Sequence, residues 1–210
     1  MAIIHTATVN PSKLELLTMW LPSQSWFGEG ESTDLGRLGS FRFDDPDGEV
    51  GVETLLVASN GTIFQIPLTY RDSPLHGANA GLIGTTEHSV LGKRWVYDAT
   101  GDPVYASTLA TTVLTGEPQA EQLLEVDGQL KLIPESVHLQ RSGIHSTGVP
   151  IVTSAVPETV GSLTTIHAGH IDLLVSRVPD LSGLTSGQEI LTATWAAQNV
   201  PVQLASAVVV

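Results

Sequence analysis

The chain has 210 residues, no cysteine, and nine Lys plus Arg against 22 Asp plus Glu, a formal charge of −13. Apolar residues at 41% with only 15% charged exclude disorder as the main state, and the missing cysteines exclude disulfides, thiolate nucleophiles and Cys-bound metal. The acidic balance argues against nucleic-acid and anionic-membrane partners, because such a surface repels phosphates and forgoes counterion release.

In chain order, the amino terminus Met1 to Ala7 lacks the basic and long apolar regions of a signal peptide, and no run is long enough to span a bilayer, so a cytoplasmic location is expected. Asn10-Pro11-Ser12-Lys13 offers an N-cap and a first-turn proline for a helix that presents Leu14, Leu17 and Leu21 on one face and stops at Pro22. Gly39 to Phe43 reads as a strand leading into the acidic turn Asp44 to Glu49. The runs Gly51 to Ser59 and Thr62 to Arg71, joined by Asn60-Gly61, spell a hairpin with a type I′ turn. Arg94 to Asp98 is a short strand feeding a second helix, which begins at Asp102-Pro103, presents Tyr105, Leu109, Val113 and Leu114, and ends at Gly116.

Beyond about Glu125 the pattern is strands alone: Gln129 to Ile133, Val137 to Arg141, Val149 to Val156, Leu163 to Val178, Glu189 to Trp195 and Val200 to Val210. The reading is a β-rich α+β fold: a helix-packed antiparallel sheet over 1–116, a linker over 117–128 beginning at Glu117-Pro118, and a second antiparallel β module over 129–210. No fixed-period repeat is present. The uncharged terminus Val202 to Val210 is expected to be buried in the sheet or across a homodimer interface.

Chemistry-bearing motifs are sparse. His167-Ala168-Gly169-His170 is the tightest histidine pair, but on one strand residues three apart face opposite ways, so no shared metal ion is expected. His5, His76, His88, His138 and His145 show no ligand spacing. Asp44 to Glu49 fails as a calcium loop: with Gly48 in the sixth position, the first would be Phe43 and the twelfth Thr54. There is no Gly-x-Ser-x-Gly elbow and no phosphate-binding Gly-x-x-x-x-Gly-Lys motif, and Gly28-Glu29-Gly30-Glu31 would aim carboxylates at an anion. His170-Ile171-Asp172 echoes a kinase catalytic loop, yet Arg177 stands where the metal-binding Asn would follow. Trp20, Trp26 and Phe27 cluster about Pro22, and such aromatics anchor helix on sheet more often than they stack on sugars.

Three stretches taken together resemble a known family. They are Trp20-Leu21-Pro22-Ser23-Gln24-Ser25-Trp26-Phe27-Gly28, then Glu53 to Val57 turning into Gln65 to Tyr70, and Val96-Tyr97-Asp98-Ala99-Thr100-Gly101-Asp102-Pro103. In order and spacing they are similar to the N-terminal cap domain of actinobacterial maltokinases and related aminosugar kinases, over about residues 10–116. The resemblance implies a cystatin-like curved antiparallel sheet wrapped on a helix. In that family the cap precedes a two-lobed kinase, whereas residues 117–210 read as strands without its catalytic loop, and Glu29 stands where a basic residue would contact nucleotide. The expectation is a stand-alone, non-catalytic accessory or binding protein linked to α-glucan or aminosugar metabolism, needing no cofactor and no metal. Its partners would be another protein, a second copy of itself or a sugar. The expected ligand or partner surface comprises Trp20, Trp26, Phe27, Tyr97, Asp98 and Asp102. The alternative is an enzyme acting on a sugar or sugar phosphate with Asp98, Asp102 or Glu53 as acid or base.

Overall fold

A computed structural model describes residues 2–4, 7–28, 34–126, 129–142 and 148–210. His5, Glu29, Gly30, Glu31, His145 and the last two residues of the expected linker lie outside them. The elements in chain order are β1 (Ala2–Ile4), β2 (Val9–Asn10), α1 (Lys13–Trp20), β3 (Gly36–Phe43), β4 (Gly51–Ser59), β5 (Thr62–Arg71), β6 (Leu82–His88), β7 (Gly92–Asp98) and α2 (Pro103–Thr115). There follow β8 (Gln122–Val126), β9 (Gln129–Leu132), β10 (Val137–Ser142), β11 (Val156–Val160), β12 (Leu163–His167), β13 (Ile171–Ser176), β14 (Glu189–Trp195) and β15 (Gln198–Val209). The fold is β-rich α+β, with a curved antiparallel sheet carrying helices and a second antiparallel sheet. The first sheet runs β2-β6-β7-β5-β4-β3 and the second β10-β14-β15-β13-β12-β11. A small sheet, β1-β8-β9, pairs β1 with β8 in parallel, so β8 lies inside the stretch read as a linker.

Local signals place the helices. Ser12 caps α1 through a reciprocal capping box with Glu15. The cap is thus Ser12, not Asn10, and Pro11 precedes the helix instead of starting it. After Trp20 the chain tightens into a 3-10 turn over Leu21–Ser23, with Pro22 in its first turn. Asp102 caps α2 by accepting from the Val104 N–H, Pro103 opens it, and Gly116 closes it in the left-handed region at φ 80°. Between β4 and β5, Asn60 and Gly61 both take positive φ, 47° and 86°, as the type I′ turn demands.

Period-two alternation along β4 and β5 sorts residues to two faces. Leu55, Val57, Phe64, Ile66 and Leu68 meet Leu16, Leu17 and Leu21 of α1 in one apolar cluster. On the opposite face Phe41, Phe43, Val52 and Leu56 join Leu109, Val113 and Leu114 of α2 and Ile166, Leu173, Val175, Leu191 and Leu204 of the second sheet in a single larger cluster. Gln65 ties the sheets together. Its backbone N–H donates to the Arg177 carbonyl at 2.9 Å, and its side-chain amide donates to the carbonyls of Ser176 and Leu204 at 3.2 and 3.0 Å.

Several expected strands are corrected. Residues 149–155 are not a strand; the pairing segment is β11, an edge strand that tolerates Pro157. The long run Leu163 to Val178 is two strands, because the chain reverses at Gly169, which takes φ 74°. β6 has no counterpart among the expected strands; its one buried residue is the polar Thr86, so no apolar alternation marks it. At the carboxyl end, Val202 and 204–207 are buried while Val208, Val209 and Val210 are exposed.

Candidate functional site

The alternation that builds the core also gathers charge. Glu53 shares the α1-facing side of β4 with Leu55 and Val57. Arg42 lies directly across from it on β3, Tyr70 reaches it from β5, and Lys13 comes down from the first position of α1. One carboxylate oxygen, Oε2, accepts from Lys13 Nζ, from Arg42 Nη2 at 3.3 Å and from the Tyr70 hydroxyl at 2.9 Å. Glu53 is only 2% exposed. Burial by itself pushes its carboxyl up, but the Arg42 and Lys13 charges and the hydrogen bonds outweigh that and hold it at about 2. Burial lowers the Lys13 ammonium and, together with the Glu53 charge, raises the Tyr70 phenol well above its ordinary value. The cluster floors a cavity of about 760 Å³ that Arg37, His88 and Arg94 also line.

A second cluster lies where the two sheets meet. Arg177 follows β13, and its backbone is fixed by bonds to Ser162 and Gln65. Its side chain is 1% exposed. Nε donates to the Thr164 hydroxyl at 2.8 Å, and Nη2 donates to Asp98 Oδ2 at 2.7 Å and the Thr100 hydroxyl at 2.9 Å. The guanidinium carbon sits 5.2 Å from the centre of the Trp26 ring. Nη1 is buried and has no partner among the described residues. A buried donor left unmet costs about 1–3 kcal/mol, so this buried arginine keeps one hydrogen-bonding end unspent. It lines a cleft of about 460 Å³ together with Trp26, Tyr97, Asp98, His76 and Ser154.

The expected surface residues therefore have different fates. Trp26, Tyr97 and Asp98 line the Arg177 cleft. Trp20 and Phe27 pack elsewhere in the same aromatic cluster, Trp20 edge-on to Trp26 at 5.8 Å and Phe27 against Phe64 at 5.0 Å. Asp102 is fully buried, where it caps α2 and receives both Nε and Nη2 of Arg71 at 2.8 and 2.7 Å. Asp98, Asp102 and Glu53 thus sit in three separate places, each engaged by its own cation. His167 ends β12 and meets Asp172 and Glu158, and the hydrogen bond that its protonated ring donates to Asp172 leads in raising its pKa. Asp45 supports the acidic turn by accepting from the backbone N–H groups of Asp47, Glu49 and Val50.

Arg177 was weighed in the sequence only as the residue replacing a kinase Asn. A better signal was available: it is the single Lys or Arg after residue 141, and it follows an alternating apolar run. A lone cation at the end of a buried strand must find a carboxylate, and Asp98 is that carboxylate.

Comparison with known proteins bears on the first sheet. No curated protein matches the chain. The family model for the maltokinase N-terminal cap domain matches residues 20–102. That stretch runs from the end of α1 through β3 to β7 and reaches the cap residue of α2, and it carries Trp26, Glu53, Tyr70, Asp98 and Asp102. Arg177 lies outside it. The first sheet, over 20–102, is thus similar to the maltokinase N-terminal cap domain.

Proposed function

We propose that the chain is a non-catalytic, cap-type binding module of cytoplasmic α-glucan or aminosugar metabolism, acting through a protein partner or a sugar ligand. The reading is carried by what accompanies the cap-like sheet. Its face opposite α1 is covered by α2 and by a second antiparallel sheet in a shared apolar core. Phosphoryl transfer asks for carboxylates free to hold metal and to receive a proton beside bound phosphates. Here Glu53, Asp98 and Asp102 are spent on Lys13 and Arg42, on Arg177, and on Arg71 respectively.

The test is sugar-dependent ADP release by the purified chain with Mg–ATP and maltose, trehalose or glucosamine, alongside capture of partners from native lysate. No turnover, with a sugar kinase or glycan enzyme retained on the chain, is the expected result. Sugar-dependent ADP release would overturn the non-catalytic reading, and retention of no such enzyme would count against the accessory role.

A further inference from the structure

We infer that the Arg177 cleft is a binding site for a neutral, polyhydroxylated small molecule, such as a mono- or disaccharide, with the free Nη1 of Arg177 as its central donor. The inference deepens the binding-module reading and rests on it for the choice of sugars to try, while the site itself is argued from geometry alone.

A guanidinium has five N–H donors in a rigid fork. In Arg177 the Nε and Nη2 ends are held by Thr164, Asp98 and Thr100. That leaves Nη1 as a buried donor with no acceptor among the described residues, on a side chain lining a cleft. The cleft is within the size range of small-molecule sites. Charge decides the kind of acceptor. The cation is already paired with Asp98 at 2.7 Å, so a phosphate or carboxylate would have to sit beside that carboxylate, in a chain of net charge −13. A hydroxyl oxygen takes the Nη1 proton without that repulsion. Its own proton has an acceptor nearby, since Asp98 Oδ2 receives only one of the hydrogen bonds described, and the polar residues Thr153 and Ser154 line the same cleft. Tyr97 accepts from the Leu75 N–H at 3.0 Å, which leaves its own O–H to donate. Donors and acceptors in alternation around one paired charge match a polyol and mismatch a dense anion. Trp26 contributes apolar wall rather than an open stacking face, because Arg177, Trp20 and Phe64 already cover it.

The experiment is calorimetric titration of the full chain with maltose, trehalose and, separately, inorganic phosphate, in wild type and two variants. Arg177→Lys keeps the charge facing Asp98 but withdraws the Nη1 donor. Ala80→Trp fills the cleft from an exposed position of its lining, so it remains informative should the arginine variant not fold. The expected result is saturable binding of at least one sugar, weakened tenfold or more in each variant that keeps the wild-type circular dichroism, and no binding of phosphate. The assignment is overturned by sugars that do not bind at millimolar concentration, which would leave a bound water as the partner of Nη1. It is also overturned by phosphate binding that depends on Arg177, or by sugar binding unaffected in either folded variant. A chain that retains its enzyme partner yet binds no sugar loses this assignment alone, whereas sugar-dependent ADP release defeats the non-catalytic reading whatever the titration shows.

Discussion

Glu53 and Arg177 are both almost wholly buried charges, and both are met by oppositely charged neighbours, but they end in opposite states. The Glu53 carboxylate is heavily engaged: two cations and a phenol converge on one of its oxygens, its carboxyl is held at about 2, and the unmet atom in its cluster is Arg42 Nε rather than the carboxylate. Arg177 is met at Nε and Nη2 and, among the described residues, has no partner at the buried Nη1. A carboxylate met in this way stabilises a strand arrangement and has little left to offer a ligand. An unmet buried donor is carried at a cost that the fold itself does not recover, and on a side chain that lines a cleft, as at Arg177, it marks a place to look for binding.

The largest effect expected from breaking this contrast is at Glu53. Glu53→Gln leaves Lys13 and Arg42 without their counter-charge and should cost roughly 3–5 kcal/mol in urea unfolding, as breaking one side of a buried ion pair does. A loss below about 1 kcal/mol would show that solvent screens the cluster. Because the folded carboxyl lies at about 2 and its ordinary value is 4.5, Glu53 contributes stability above about pH 4.5 that fades as pH falls toward 2. Wild type should therefore steepen its loss of stability in that window, and Glu53→Gln should be flatter there. Asp102→Ala removes the cap of α2 and the partner of Arg71 together and should lower stability by about 2 kcal/mol, read as a drop in Tm. At the small end, Ala80→Trp should change stability by no more than about 0.5 kcal/mol, so its effect on sugar binding reports the cleft and not the fold.

What was legible in the sequence follows from the range of the forces involved. The Asn60-Gly61 turn, the Asp102-Pro103 start and the Gly116 stop are read from a few adjacent residues, because positive φ, a missing N–H and a capping carboxylate act locally. The limits of β4, β5 and β14 came out as expected for the same reason. The split of 163–176 hinged on Gly169 alone, which β-branched flanks on both sides concealed. β6 belongs to the first sheet by pairing with β7 and β2, through backbone bonds that no side-chain pattern need announce.

The candidate site divides in the same way. Trp26, Tyr97 and Asp98 line the Arg177 cleft, while Trp20, Phe27 and Asp102, expected beside them, do not: Trp20 packs half-buried against the α1 cluster, Phe27 lies within it, and Asp102 caps a helix. Chain position could not separate these groups, since Asp98 and Asp102 are four residues apart and differ only in which arginine reaches them, Arg177 or Arg71.

By itself, then, the sequence determined the acidic, cysteine-free character of the chain, its β-rich α+β composition, both helices and the central hairpin, since each depends on composition or on contacts between near neighbours. Only the tertiary structure decided that Arg177 crosses to Asp98, 79 positions away along the chain, that Gln65 ties the two sheets, and that Arg177 Nη1 is left without a partner among the described residues. Those outcomes depend on how two sheets pack face to face. Sheet packing is set by the fit of many side chains at once, and no short stretch of sequence encodes it.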